Sequence, residues 1–135
     1  MKPLGRKQEK VRVFSFEKLK AWQLAKAFAV HVYTVTRQFP PEEKFGLVAQ
    51  LRRASVSIAS NLAEGSARQS TKDQAHFSQL AYSSLMECVC QFEISLELGF
   101  LSKAQYCSLR DQASELSYMI NALQNAQKRT RGVNS

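Results

Sequence analysis

Four apolar stripes at helical spacing constrain the fold of this 135-residue chain more than any other feature. The most regular stripe lies near the C-terminus, where apolar residues recur every three or four positions from Tyr106 to Leu123. This spacing places them on one face of an α-helix, because a helix turns once about every 3.6 residues. Each stripe has to be buried against another, so the pattern favours a helical bundle over a sheet protein.

Start and stop signals delimit the first two predicted helices. The first spans about 16–39, with Ser15 as its N-cap and Pro40-Pro41 as its stop. The second begins at residue 42 or 45 and runs to residue 64. Gly65 is expected to form a left-handed cap just beyond its end.

The last two helices have clearer local signals. Ser70 and Ser102 are predicted N-caps, the second in a capping box with Gln105. Gly99 is expected to terminate the third helix, and the periodicity of the fourth fades after Ala126. Short linkers make neighbouring helices antiparallel, so the predicted fold is all-α, an antiparallel up-down-up-down four-helix bundle.

The first predicted helix carries a second apolar line beside its main stripe. Leu24, Phe28 and Val35 form this line, which is wider than a surface helix needs. We expect it to face outwards and to offer a contact surface for a partner.

The net charge of +8 is concentrated in two tails. Residues 1–13 carry five cations and one carboxylate, and residues 128–135 carry three cations, whereas the body, 14–127, holds 11 basic and 10 acidic residues. Basic tails on a near-neutral body are typical of contacts to phosphate backbones, although they also serve solubility alone. The candidate nucleic-acid contacts in the tails are Lys2, Arg6, Lys7, Lys10, Arg12, Lys128, Arg129 and Arg131.

Three arginines of the body are weaker candidates for the same role. Arg52 and Arg53 are adjacent in the second predicted helix, and Arg68 lies in the loop after it. An arginine clamps phosphate through its planar donors. At least one of the adjacent pair is instead expected to pair with a carboxylate inside the bundle or across an interface.

One face of the second helix is unusually polar, and Glu87 of the third helix is expected opposite it. We interpret this set as a structural network that fixes helix register, as polar groups in bundle cores do. The alternative is a ligand or metal site, but the two histidines, His31 and His76, lack the Glu-x-x-His spacing of di-metal bundles. We therefore predict no metal and no cofactor. The predicted network comprises Gln50, Ser57, Asn61, Glu64 and Glu87.

No residue pattern indicates catalysis or a membrane segment. The sequence offers no plausible serine triad and no phosphate-binding loop, so the chain is expected not to be an enzyme. The three cysteines have no CxxC spacing, which favours a reducing cytoplasm over a disulfide framework. No apolar run is long enough to span a bilayer.

The stretch FGLVAQLRRASVSIASNLAEGSAR (45–68) resembles a known family. It is similar to the bacterial four-helix bundle proteins named after intervening sequences in 23S ribosomal RNA genes. The resemblance covers about residues 14–125 and includes the polar network positions, which core packing alone does not dictate. Further similar segments are FEKLKAW (16–22), FP (39–40), HFSQLAYSSLMECVCQFE (76–93) and LGFL (98–101).

The resemblance implies a ring-shaped homo-oligomer, commonly a pentamer, without known catalytic activity. Accessory variability proteins of diversity-generating retroelements are similar too, and they bind nucleic acid and a reverse transcriptase. The leading hypothesis is therefore a non-enzymatic oligomer that binds RNA or DNA, and one candidate role for it is that of such an accessory factor. The alternative is a protein-interaction adaptor of the 23S family with no direct role at nucleic acid.

Overall fold

The computed structural model describes residues 10–134, with side chains described as far as Thr130. Four α-helices fill most of this range, which contains no strand, and this confirms the all-α class. Short 3-10 turns at Ser15–Lys18 and Pro41–Glu43 precede the first two helices. The helices are α1 (Lys20–Thr36), α2 (Leu47–Ser66), α3 (Thr71–Glu97) and α4 (Lys103–Asn134).

Each helix packs against two neighbours around one apolar core. Helices α1 and α3 both contact α2 and α4. The rings of Phe28 and Phe92 meet edge to face across the centre, with ring centroids 5.9 Å apart. Both side chains are almost fully buried, and burying one large apolar side chain contributes about 1.5–3 kcal/mol.

The predicted caps of the last two helices are confirmed. Ser70 Oγ accepts a hydrogen bond from the Asp73 amide at 3.0 Å. Ser102 Oγ accepts from the Gln105 amide at 3.1 Å, and Gln105 Oε1 accepts from the Ser102 amide at 2.9 Å. Gly99 adopts φ 79°, the left-handed conformation that glycine enters without a steric penalty.

The predicted bounds of the first helix were wrong at both ends. The 3-10 turn at Ser15–Lys18 is capped at Phe14, whose amide donates to Glu17 Oε1 at 2.9 Å, so Ser15 caps nothing. Leu19 is extended and separates this turn from α1. Helix α1 ends at Thr36, before the prolines, yet Phe39 still packs into the core.

Gly65 is not a left-handed cap, because it lies inside α2 and is buried against α3. A Cβ at this position would stand 2.9 Å from Phe77 Cβ. Glycine is therefore required for the close approach of the two helices, and α2 continues to Ser66.

The expected outward face of α1 is also wrong. Phe28 is completely buried and Val35 is 6% exposed, while Leu24 packs against the core from its edge. The core lies between the two predicted apolar lines, so both lines border it. An adaptor surface built on these three residues is excluded by their burial.

Candidate nucleic-acid interface

Four chain segments converge around one cleft of about 220 Å³ at one end of the bundle. Leu19 precedes α1, Ser66 ends α2, and Gln74 lies in the first turns of α3. Gln127 of α4 completes the lining, just before the predicted C-terminal tail. We call this the basic end, for the charges described next.

Exposed cations are concentrated at the basic end. Residues 10–13 lead into the 3-10 turn beside α1, and α4 continues through 128–134 as helix, so both predicted tails start here. The loop between α2 and α3 adds further cations. The exposed cations are Lys10, Arg12, Lys18, Lys20, Arg68, Lys72, Lys128 and Arg129, against the carboxylates Glu17, Glu64 and Asp73.

Charges at the opposite end are balanced. The end of α1 and the start of α4 meet there, as the contact of Phe39 with Phe100 shows, with ring centroids 5.6 Å apart. The described cations at this end are equal in number to the carboxylates. They are Arg37, Lys44, Arg52, Lys103 and Arg110, against Glu42, Glu43, Glu93, Glu97 and Asp111.

The predicted tail contacts lie partly outside the described residues. Lys2, Arg6 and Lys7 are outside them, and so is the side chain of Arg131. The remaining four are all exposed to solvent: Lys10, Arg12, Lys128 and Arg129.

Arg68 is exposed on an ordered loop at the basic end. Its guanidinium carbon lies 4.6 Å from the centre of the Phe77 ring, and its carbonyl accepts from Gln74 Nε2 at 2.9 Å. Exposed Lys72 follows in the first turn of α3. This loop therefore presents two cations from a fixed backbone.

The guanidinium group of Arg52 is engaged by contacts to α1 within the fold. It stacks on Tyr33, with 4.5 Å from the guanidinium carbon to the ring centre. Its Nε donates to Thr36 Oγ1 at 3.0 Å, and its Nη2 donates to the Tyr33 carbonyl at 3.2 Å. A cation at the last turn of α1 also complements the negative end of the helix dipole. Arg52 thus ties α2 to α1.

Arg53 forms an ion pair with Glu87 of α3 and donates to Gln50 Oε1 at 2.9 Å. Gln91 Nε2 donates to the same Glu87 carboxylate at 3.2 Å. The Arg53 side chain is still 57% exposed, so the pair contributes roughly 0–1 kcal/mol.

The predicted polar network divides into two sets of contacts, this ion-pair set and a second set built on serine hydroxyls. Ser57 Oγ lies 3.0 Å from Ser84 Oγ of α3, and Asn61 Nδ2 donates to Ser57 Oγ at 3.0 Å. The structure thus brings Gln50, Ser57, Asn61 and Glu87 to the contact between α2 and α3. Glu64 lies apart from them, exposed near the end of α2.

Sequence reasoning missed a second polar contact, between α3 and α4. Ser78 Oγ donates to Gln127 Oε1 at 2.8 Å. Gln124, only 8% exposed, donates to the Ala75 carbonyl at 3.1 Å. These bonds hold α4 against α3 beside the basic end. Lys18 and Lys20 were missed as well, because their place at the basic end depends on the fold.

The buried cysteine and the two histidines have the following surroundings. Burial raises the pKa of the Cys88 thiol to about 12, and repulsion from Glu87 adds to this effect. His31 Nδ1 is hydrogen-bonded to Gln112 Oε1 at 2.5 Å, and His76 is exposed against Phe77. Among the described residues, no three histidines, cysteines or carboxylates cluster as metal ligands would. Nor does any described helix combine the length and apolarity that crossing a bilayer requires.

These features define a class: a four-helix all-α protein with a cationic end and polar contacts between its helices. The chain belongs to the 23S rRNA-intervening sequence protein family, whose sequence pattern matches residues 17–122. The matched range leaves out 1–13 and 128–135, so both basic tails lie outside it.

A solved structure shows the same fold. It is a crystal structure of a protein of unknown function from the S23 ribosomal protein family of Bacteroides thetaiotaomicron. The TM-score is 0.73 at 21% sequence identity, over 78% of this chain and 95% of that chain. A comparison with curated proteins gave no match.

Proposed function

We propose that this protein is a non-enzymatic homo-oligomer that binds the phosphates of RNA or DNA through its basic end. The observation that supports this most is the convergence of exposed cations from three separate chain segments at that end. Arg68, Lys72 and the two tails would then act together as one surface.

Binding of this kind is mainly electrostatic. Phosphate contacts position a protein without reading sequence, and each neutralised phosphate releases counterions. We therefore expect weak sequence preference and affinity that falls steeply with salt. Exposed Arg68 lies over the half-buried Phe77 ring, and a cation beside an aromatic ring suits contacts to unpaired bases.

The proposed assembly is an up-down-up-down bundle that forms a ring, commonly a pentamer in proteins similar to this one. The antiparallel order is supported by side-chain pairs. Arg53 meets Glu87 and Ser57 meets Ser84, so numbers rise along α2 as they fall along α3. Residue numbers along α3 and α4 run oppositely too, since Glu93 contacts Arg110 and Ser78 contacts Gln127.

We further propose that the protein is an accessory factor of a reverse transcriptase in a diversity-generating retroelement. Family membership and the cationic end support this role, because such a factor has to hold nucleic acid beside the enzyme. Co-purification with the reverse transcriptase of the same element tests this part. Failure to co-purify would leave the phosphate-binding proposal standing and contradict the accessory role.

Charge variants at the two ends test nucleic-acid binding. Arg68→Glu/Lys72→Glu removes two cations from the basic end, and Lys44→Glu/Lys103→Glu removes two from the balanced end. The second pair is a matched control, because Lys103 covers Tyr106 much as Arg68 covers Phe77. We expect fluorescence anisotropy with a short single-stranded RNA to show a loss of at least about tenfold in affinity for the first variant only.

Equal losses in both variants would contradict a localised interface. Unchanged binding by the first variant, together with unchanged binding after removal of residues 1–13, would contradict binding at the basic end and leave the tails with a role in solubility only.

A further inference from the structure

An apolar groove of about 620 Å³ runs between α1 and α2 on the outside of the bundle. On the α1 side it is bordered by Trp22, Val30 and Tyr33. The α2 side offers mostly small side chains, such as Ala59 and Ala63, which leave room between the helices. We call this the α1–α2 groove.

The groove is exposed and cationic. Val30 is 60% exposed and Val56 42% exposed, and they form one contiguous apolar patch with Trp22 and Tyr33. The charged residues that line it are Lys26 and Arg37, and no carboxylate does. Neither cation has an ion-pair partner among the described residues. A fitting occupant therefore has an apolar ridge flanked by carboxylates.

The outer face of α4 has this character. Asp111, Glu115 and Tyr118 are spaced by four and three residues, so they share one exposed face. Tyr118 is 74% exposed, the largest exposed fraction among the large hydrophobic side chains described in α1 to α4. The one cation between residues 104 and 125 is Arg110, which turns to α3 and binds Glu93 at 2.6 Å. We call this face the α4 ridge.

We propose that a second copy of this chain seats its α4 ridge in the α1–α2 groove. Tyr118 would fill the groove between Trp22 and Tyr33, as helix-in-groove contacts do. The carboxylates Asp111 and Glu115 would face Lys26 and Arg37. This inference rests on the homo-oligomer part of the proposed function and names its interface.

Such an interface joins two different surfaces, so each copy keeps one groove and one ridge free for further copies. A heterologous contact of this kind forms a ring when its rotation closes. The groove and ridge lie along the sides of the bundle, so the cations of the basic end stay available in the assembly.

Two blocking variants test the interface in full-length protein. Val30→Glu/Val56→Glu blocks the groove, and Tyr118→Glu blocks the ridge; all three positions are exposed, so the fold should tolerate the changes. We expect light scattering to give the monomer mass of 15.3 kDa for each variant alone. Mixed at equal ratio they should form a dimer, through the one intact groove and the one intact ridge.

Leu98→Glu is the control, because Leu98 is 55% exposed but belongs to neither surface. It should keep the wild-type mass, and circular dichroism should show the same helix content in all variants. A charge exchange adds a second measurement. Lys26→Glu/Arg37→Glu should be monomeric, and adding Asp111→Lys/Glu115→Lys to the same chain should restore assembly.

The proposal is overturned if both blocking variants keep the wild-type mass, if the mixture stays monomeric, or if the wild-type protein is itself a monomer. It is also overturned if the groove variant loses RNA binding while keeping its mass, since the groove would then be a nucleic-acid site. RNA anisotropy on the same samples shows separately whether the phosphate-binding function holds.

Discussion

At Gly65 the approach of α2 to α3 leaves no room for a side chain. A glycine shortly before a loop suggests a left-handed cap when only neighbouring residues are considered. The contact that actually requires glycine involves Phe77, twelve positions later, so local sequence does not contain it. The caps at Ser70 and Ser102 could be predicted because their partners lie three residues away.

Gly65→Ala is predicted to destabilise the protein. Replacing glycine by alanine inside a helix normally stabilises by about 0.5–1 kcal/mol. Overpacking against Phe77 Cβ costs about 1–3 kcal/mol, so the net loss should be about 1 kcal/mol. Urea unfolding measures it, with Ser60→Ala at an exposed position of α2 as the control. A more stable Gly65→Ala protein would mean that the two helices lie further apart.

Cys88 is predicted to stay unreactive while the protein is folded. The thiolate is the reactive form, and burial raises the pKa of this thiol from 9.0 to about 12. At pH 8 the thiol reagent DTNB should modify exposed Cys90 and Cys107 and spare Cys88 until denaturant is added. Raising the pH towards 12 should begin to ionise Cys88. Fast modification of three thiols at pH 8 would contradict this environment.

At the scale of helices, periodicity identified the apolar positions of α1 but not the direction of the core. Its apolar residues cover nearly half of the circumference from Leu24 on one side to Ala29 and Trp22 on the other, and Tyr33 and Val30 extend the arc beyond Trp22. Packing places the middle of this arc, including Phe28 and Val32, in the core. It leaves Val30 and Tyr33 outside, so the α1–α2 groove could not be located from one helix alone.

The helix caps offer a matched comparison. Ser102→Ala removes the acceptor for the Gln105 amide and should cost about 1 kcal/mol of unfolding free energy. Ser15→Ala should change stability by less than about 0.5 kcal/mol, because Ser15 is exposed and is not the cap of its turn. Thermal and urea unfolding of both variants test this. An equal cost would show that the 3-10 turn depends on Ser15 after all.

Across the whole molecule, the packing of the helices brings the excess positive charge to one end of the bundle. Composition located the positive charge in the tails, but the tails are far apart in sequence. Their convergence with Arg68, Lys72, Lys18 and Lys20 follows from the packing of four helices of similar length. The balanced end carries as many carboxylates as cations, so the asymmetry is a property of the fold and not of composition.

The most direct test of this account is the salt dependence of RNA binding. For single-stranded nucleic acid, the slope of log affinity against log salt is about −0.7 per phosphate neutralised. Arg68→Gln/Lys72→Gln should make the wild-type slope shallower by about 1.4, while Lys44→Gln/Lys103→Gln should leave it unchanged. Phosphate binding at the basic end would be contradicted if the wild-type protein did not bind RNA. It would also be contradicted if the two variants gave the same slope.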